Sequence, residues 1–179
     1  MFKIMVDYVN KKSVNHNLYN LMLLWNNRDS TYRSNLSSTY NIASTDVSYK
    51  KVLTGGTALL TGIKFTTTQM INDNLYQSFF DNQWKDVLAY NYSSRYNEHI
   101  FAAYAEINTE IKQWQIIAGL RAENTKTTNK NVNMKKDYSN IYPHVILGYS
   151  FDEMKRWMIS MRYARQIERP AFDALNPNR

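Results

Sequence analysis

Apolar and polar side chains trade places at every second residue through the latter half of the chain. A period of two commits the backbone to extended strands with one oily and one wet face. From Glu98 to Thr109 the odd positions are His99, Phe101, Ala103, Ala105, Ile107 and Thr109, and the even ones Glu98, Ile100, Ala102, Tyr104, Glu106 and Asn108. The split then sharpens, with Trp114, Ile116, Ala118, Leu120 and Ala122 alternating with Gln115, Ile117, Gly119, Arg121 and Glu123. Ile141, Pro143, Val145, Leu147 and Tyr149 oppose Tyr142, His144, Ile146, Gly148 and Ser150. Trp157, Ile159, Met161 and Tyr163 oppose Arg156, Met158, Ser160 and Arg162. These are four successive strands.

Upstream the same period is weaker. Thr57 to Asn72 alternates Leu59, Ile63, Phe65 and Ile71 with Gly62, Lys64, Thr66 and Thr68, Ser38 to Val52 repeats the pattern, and Phe2 to Asn10 adds a further candidate. About seven strands result, several far longer than the usual 5 or 6 residues of soluble sheets. A strand tilted across a bilayer and running past its headgroups accounts for such length. Helical spans are excluded, because the longest strongly apolar run is Leu21 to Trp25 and mean hydropathy is −0.56, whereas a helix needs about 20 such residues. Short links are expected near Leu53–Gly56, Glu110–Gln113 and Asp152–Glu153, and long polar loops from Lys11 to Ser37, Asp73 to Asn97 and Lys126 to Asn140. Tight turns at one end and long loops at the other are the layout of outer-membrane barrels.

Two bodies fit a two-faced meander: a soluble sandwich with a dry core, or a membrane barrel with a wet lumen. Aromatic residues at expected strand ends (Trp114, Tyr142, Phe151, Trp157, Tyr163), the alternating link lengths and the density of charge favour the barrel. On that reading Lys64, Glu98, Tyr104, Glu106, Arg121, Glu123, His144 and Arg162 face the lumen. Phe101, Trp114, Ile116, Leu120, Val145, Leu147, Trp157, Ile159 and Met161 face lipid.

Little else in the sequence carries chemistry. There is no cysteine, so disulfides and thiolate sites are excluded. The three histidines, His16, His99 and His144, lack metal-ligand spacing. Glu98 and Glu106 share a strand face but lie roughly 26 Å apart, too far for an acid–base pair. No nucleophile elbow or phosphate-binding glycine loop is present. The net charge of +7 comes from scattered residues such as Lys11, Lys12, Arg28, Arg33, Lys50, Lys51, Lys126, Lys130, Lys135 and Lys136. They form no basic stripe with a stacking platform, which argues against nucleic acid. At loop tips such charges suit solvent or lipopolysaccharide phosphates.

The final segment narrows the reading. Tyr163-Ala164-Arg165-Gln166-Ile167-Glu168-Arg169-Pro170, followed by Ala174-Leu175-Asn176-Pro177, resembles a strand-end and loop signature of TonB-dependent outer-membrane receptors, most closely the Bacteroidetes-type outer-membrane β-barrel group. Ile100–Ala105, Ala118-Gly119-Leu120-Arg121-Ala122-Glu123-Asn124-Thr125, Ile141-Tyr142-Pro143 and Asp29–Tyr32 are similar to further stretches of that family. Ala164, Gln166 and Asn178 depart from its pattern. Without ligand contact, Arg165, Arg169 and Pro170 read as a strand end, since proline cannot donate to a ladder.

The resemblance implies a 22-strand barrel holding an N-terminal plug, with TonB as the energising partner and a siderophore, glycan or similar nutrient as ligand. The expectation is an all-β antiparallel meander, residues 1–179 forming part of such a barrel in the outer membrane, with no cofactor and no enzymatic activity. Met1 to Tyr8 lacks a signal-peptide pattern, so a longer precursor with a plug is expected. A structural or adhesive barrel and a soluble β-sandwich module stand as alternatives.

Overall fold

The computed structural model describes residues 1–23, 28–130, 133–152 and 154–167. Among them the chain forms β1 (Phe2–Leu23), β2 (Arg28–Val52), β3 (Ala58–Phe80), β4 (Gln83–Asp86), β5 (Tyr92–Ile111), β6 (Trp114–Asn129), β7 (Met134–Ser150) and β8 (Met158–Ala164), with 3₁₀ turns at Thr54–Gly56 and Leu88–Tyr90. The strands pair in the order β1-β2-β3-β5-β6-β7-β8, all antiparallel, and β4 folds back on the end of β3. Asp81 and Asn82 make that small hairpin at φ 52° and 58°. Short polar side chains tolerate this left-handed conformation, as mirror-image hairpin turns require. Six long strands and the shorter β8 thus form, among the described residues, an open meander with β1 and β8 as its edges.

The expected long loops are a finding of a different kind. Lys11–Leu23 and Arg28–Ser37 are continuations of β1 and β2, paired residue for residue from Lys11↔Tyr40 to Leu23↔Arg28. β3 likewise runs on to Phe80, β5 begins at Tyr92, and β6 and β7 pair to Asn129↔Met134. β2 alone has 25 residues, roughly 80 Å of strand at 3.3 Å per residue. These extensions hold Ser, Thr, Asn and Tyr on both faces. Alternation therefore vanishes from the sequence, while backbone pairing continues.

The sheet has a single layer, yet it has a buried face. Ser38, Thr68, Met70, Asn72, Ser94, Tyr96, Ile100, Ala102, Thr125, Thr127, Asn129 and Ser150 are buried, and the register puts all of them on one side. Burial without a second layer means that the sheet is curled and this side is concave. The convex side carries Ile63, Phe65, Phe101, Trp114, Leu120, Ile159, Met161 and Tyr163 in the open, with Phe101 at 51% and Met161 at 66% exposure. A soluble sandwich would do the opposite, hiding its apolar side chains beneath a second sheet.

Candidate functional site: the charged concave wall

Two glycines on the concave side shape the site. Tyr104 pairs with Gly62 on one flank and Arg121 on the other, and its ring lies across Gly62 so that its hydroxyl donates to Asp46 Oδ1 at 2.8 Å, two strands away. His144 does the same over Gly119. Its Nε2 reaches Glu106 Oε2 at 3.0 Å, again two strands away. A Cβ at either glycine would collide with the ring above it. Absence of a side chain is what lets a neighbour span three strands and hold the curl.

Around these bridges the charges gather. Arg121 Nε donates to Glu123 Oε1 at 2.6 Å, and the Arg121 guanidinium lies 6.0 Å from the centre of the Tyr104 ring. Asp46, Lys64, Tyr104, Glu106, Arg121, Glu123, Tyr142, His144, Arg162 and Arg165 line an open concavity of about 630 Å³. Because the concavity is open, the Arg121–Glu123 ion pair and the His144–Glu106 hydrogen bond at its wall need no dry-core compensation. Among the described residues no three acidic or imidazole side chains form a metal-holding cluster.

The sequence-derived sets divide by face as follows. Lys64, Glu98, Tyr104, Glu106, Arg121, Glu123, His144 and Arg162 share the concave side by register, through rows such as Tyr104↔Arg121 and Ile146↔Arg162. Glu98 stands apart from the concavity and accepts from the Tyr96 hydroxyl at 3.1 Å. Phe101, Trp114, Ile116, Leu120, Val145, Leu147, Ile159 and Met161 share the convex side. Trp157 precedes β8, its carbonyl accepting from the Phe151 amide at 2.9 Å, and is 74% exposed. Of the signature residues, Tyr163 pairs with Val145, the Arg165 amide donates to the Pro143 carbonyl, and Ile167 lines the concavity. Arg169, Pro170, Leu175, Asn176 and Pro177 lie outside the described residues.

Tyr142 is a correction. It sits inside β7, opposite Arg121 on the concave side, and does not cap a strand end. At the turn end of the sheet Trp114, Tyr149 and Phe151 do cluster, with ring centres 4.9 and 5.3 Å apart. Towards the other end, a row of side-chain amides crosses four strands of the convex face: Asn10, Asn41, Gln69 and Asn97 stand opposite one another in β1, β2, β3 and β5. Asn10 donates to Asn41, Asn41 Nδ2 to Gln69 Oε1 at 3.4 Å, and Gln69 Nε2 to Asn97 Oδ1 at 3.3 Å. Aromatics at one border and an amide ladder at the other bound the apolar band. Sequence reading missed the ladder and the glycine bridges, although glycines on the polar face of two strands were a visible sign of close approach.

An antiparallel meander curled with its charges inside and its hydrophobic side chains outside is the wall of an outer-membrane-type β-barrel. The chain belongs to the outer membrane protein beta-barrel family, whose profile matches residues 1–179, and is accordingly a protein of the bacterial outer membrane. Among solved structures, the unliganded ferric citrate transporter FecA superposes with a TM-score of 0.52 at 13% identity, over 85% of this chain and 23% of that one. The FpvAI–pyocin S2 complex gives 0.56 at 11%, covering 88% and 24%. The ferric yersiniabactin uptake receptor FyuA from Yersinia pestis gives 0.52 at 11%, covering 90% and 28%. At these identities the likeness is one of fold. The chain spans about a quarter of the length of the solved receptors it matches. No curated protein matches its sequence.

Proposed function

We propose that this chain is part of the barrel wall of a TonB-dependent receptor that imports a nutrient across the outer membrane. The observation that carries the reading is the sorting of side chains in a one-layer sheet: charged and hydrogen-bonded polar groups line the concavity, and large hydrophobics lie bare on the other side. In this reading the concave set from Lys64 to Arg162 borders an aqueous lumen and the convex set from Phe101 to Met161 meets acyl chains. The outward positions Trp114 to Ala122 cover about 26 Å of strand, which at the usual tilt rises about 20 Å and fills most of the apolar band of roughly 25 Å in such barrels. The paired extensions beyond the amide ladder then stand on the extracellular side, among lipopolysaccharide headgroups. The tight turns Leu53–Thr57 and Lys112–Gln113 face the periplasm. The likeness to FecA and FyuA, and the strand-end signature from Tyr163, support a siderophore, glycan or similar ligand, and imply a plug and TonB as partners.

Deletion of the full-length gene tests this. A strain lacking it is grown with single iron complexes or single oligosaccharides as the limiting nutrient. The expected result is loss of growth on one of them, reproduced by removing the inner-membrane energising partner. Growth that persists without that partner but needs the barrel would sink the energised reading.

A further inference from the structure

The concave wall changes chemistry along its height. Below the row Lys11–Tyr40–Met70–Tyr96 it is charged. Above that row Ser13 to Leu21 of β1, Ser30 to Ser38 of β2, Asn72 to Phe80 of β3 and Tyr92 to Ser94 of β5 supply inward positions without a charge. Serine, asparagine and tyrosine dominate. The charged inward register positions lie at the tip, Arg28 of β2 opposite Leu23 and Lys85 of β4 opposite Ser78. Lys85, on β4 beside them, is held at the tip by Asp81 at 3.7 Å and by the Phe80 ring.

The tyrosines are organised. Tyr32 and Tyr76 stack with centres 5.7 Å apart and an interplanar angle of 29°, and Tyr90 meets Tyr76 edge-on at 5.2 Å. The segment around Leu88–Tyr90 is tied down over them. The Tyr76 amide donates to Asn91 Oδ1 at 2.6 Å, Asn74 Nδ2 donates to the Tyr90 carbonyl at 3.1 Å, and Ser34 donates to Asn74 Oδ1 at 2.8 Å. Tyr90 remains 60% exposed. One step below, Asn72 is 4% exposed and its Oδ1 has no hydrogen-bond partner.

Resting on the transport reading, we infer that this tyrosine wall takes a neutral, polyhydroxylated ligand: an oligosaccharide. Rings offer flat faces to the C–H surface of a sugar, and amides and hydroxyls fix its OH groups at little entropic cost. Around the Tyr32–Tyr76 stack the inward positions of β2 and β3 are uncharged, and Lys85 at the tip is already drawn to Asp81 and the Phe80 ring, so an anionic metal chelate would shed its hydration here for little return.

The test titrates the full-length protein in detergent with neutral gluco-, xylo-, manno- and galacto-oligosaccharides, and with ferric citrate as the charged probe. The expected result is binding of at least one neutral probe with an affinity unchanged from low to high salt. Tyr76→Ala combined with Tyr90→Ala should weaken it about tenfold, and Tyr76→Phe should keep most of it. Heat-modifiable gel mobility confirms that each variant is folded. Failure to bind any neutral probe, or binding indifferent to both tyrosine changes, overturns the inference. Energised uptake of ferric citrate alone would overturn it while leaving the transport reading intact. Tyrosine-dependent sugar binding without energised uptake would do the reverse.

Discussion

Gly119→Ala is the sharpest perturbation the wall allows. The three atoms nearest to a Cβ there all belong to the His144 ring, Nε2 at 2.7 Å and Nδ1 at 3.0 Å, with Cε1 nearer still. The imidazole must swing off Glu106, losing a half-exposed hydrogen bond worth about 0.5–1.5 kcal/mol. The displaced ring leaves its rotamer at a further cost of about 0.5–1.5 kcal/mol. The single change should therefore destabilise by about 1–3 kcal/mol. His144→Ala alone should cost about 1 kcal/mol, the lost hydrogen bond. In the double variant the obstruction is gone, so adding Gly119→Ala should cost almost nothing, and the cycle should show a coupling of about 1–3 kcal/mol. The assay is reversible urea unfolding of the full-length barrel in lipid vesicles, followed by tryptophan fluorescence. Additive single effects would refute the claim that the ring lies over the glycine.

Other consequences follow from the same geometry. Leu120→Arg, on the convex face, should cost about 2–4 kcal/mol in vesicles if it lies near the bilayer midplane, whereas Ile117→Arg on the concave face should cost far less in the same measurement. Asn41→Ala interrupts the amide ladder at its centre and should destabilise by about 1 kcal/mol, read from the same titrations. Asp152 accepts from the Arg156 guanidinium at 2.7 Å and from the Arg156 and Trp157 amides, which holds its carboxyl below the usual range. A depressed carboxylate pKa adds stability above the unfolded value and loses it as pH falls through the folded one. The protection of the Arg156 and Trp157 amides, measured against the intrinsic exchange rate at each pH, should therefore fall on acidification, and Asp152→Asn should flatten that response.

How much was readable beforehand depends on which residues are asked. Phe101, Leu120 and Met161 announce their shared face because a strand's period of two holds whatever the strand packs against. The polar partners Tyr104, Arg121 and His144 follow from the same parity. Strand order and the antiparallel meander follow from short links between alternating runs. The paired extensions from Lys11 to Ser37 left no such trace: with water on both faces, nothing selects for alternation, and polar strand looks like polar loop.

Alternation along the chain settled which side chains share a face and that the faces differ in polarity. That is a local property, decided by backbone geometry within each strand. Folding decided the rest. Tyr104 meets Asp46 and His144 meets Glu106 only because the register sets 58 and 38 residues of separation side by side across a glycine. Tyr32 meets Tyr76 through the β2–β3 register, and Tyr90 joins them because β4 and the turn after it fold back on β3. Contacts of that kind depend on alignment between strands, which a periodic pattern leaves open to any even shift.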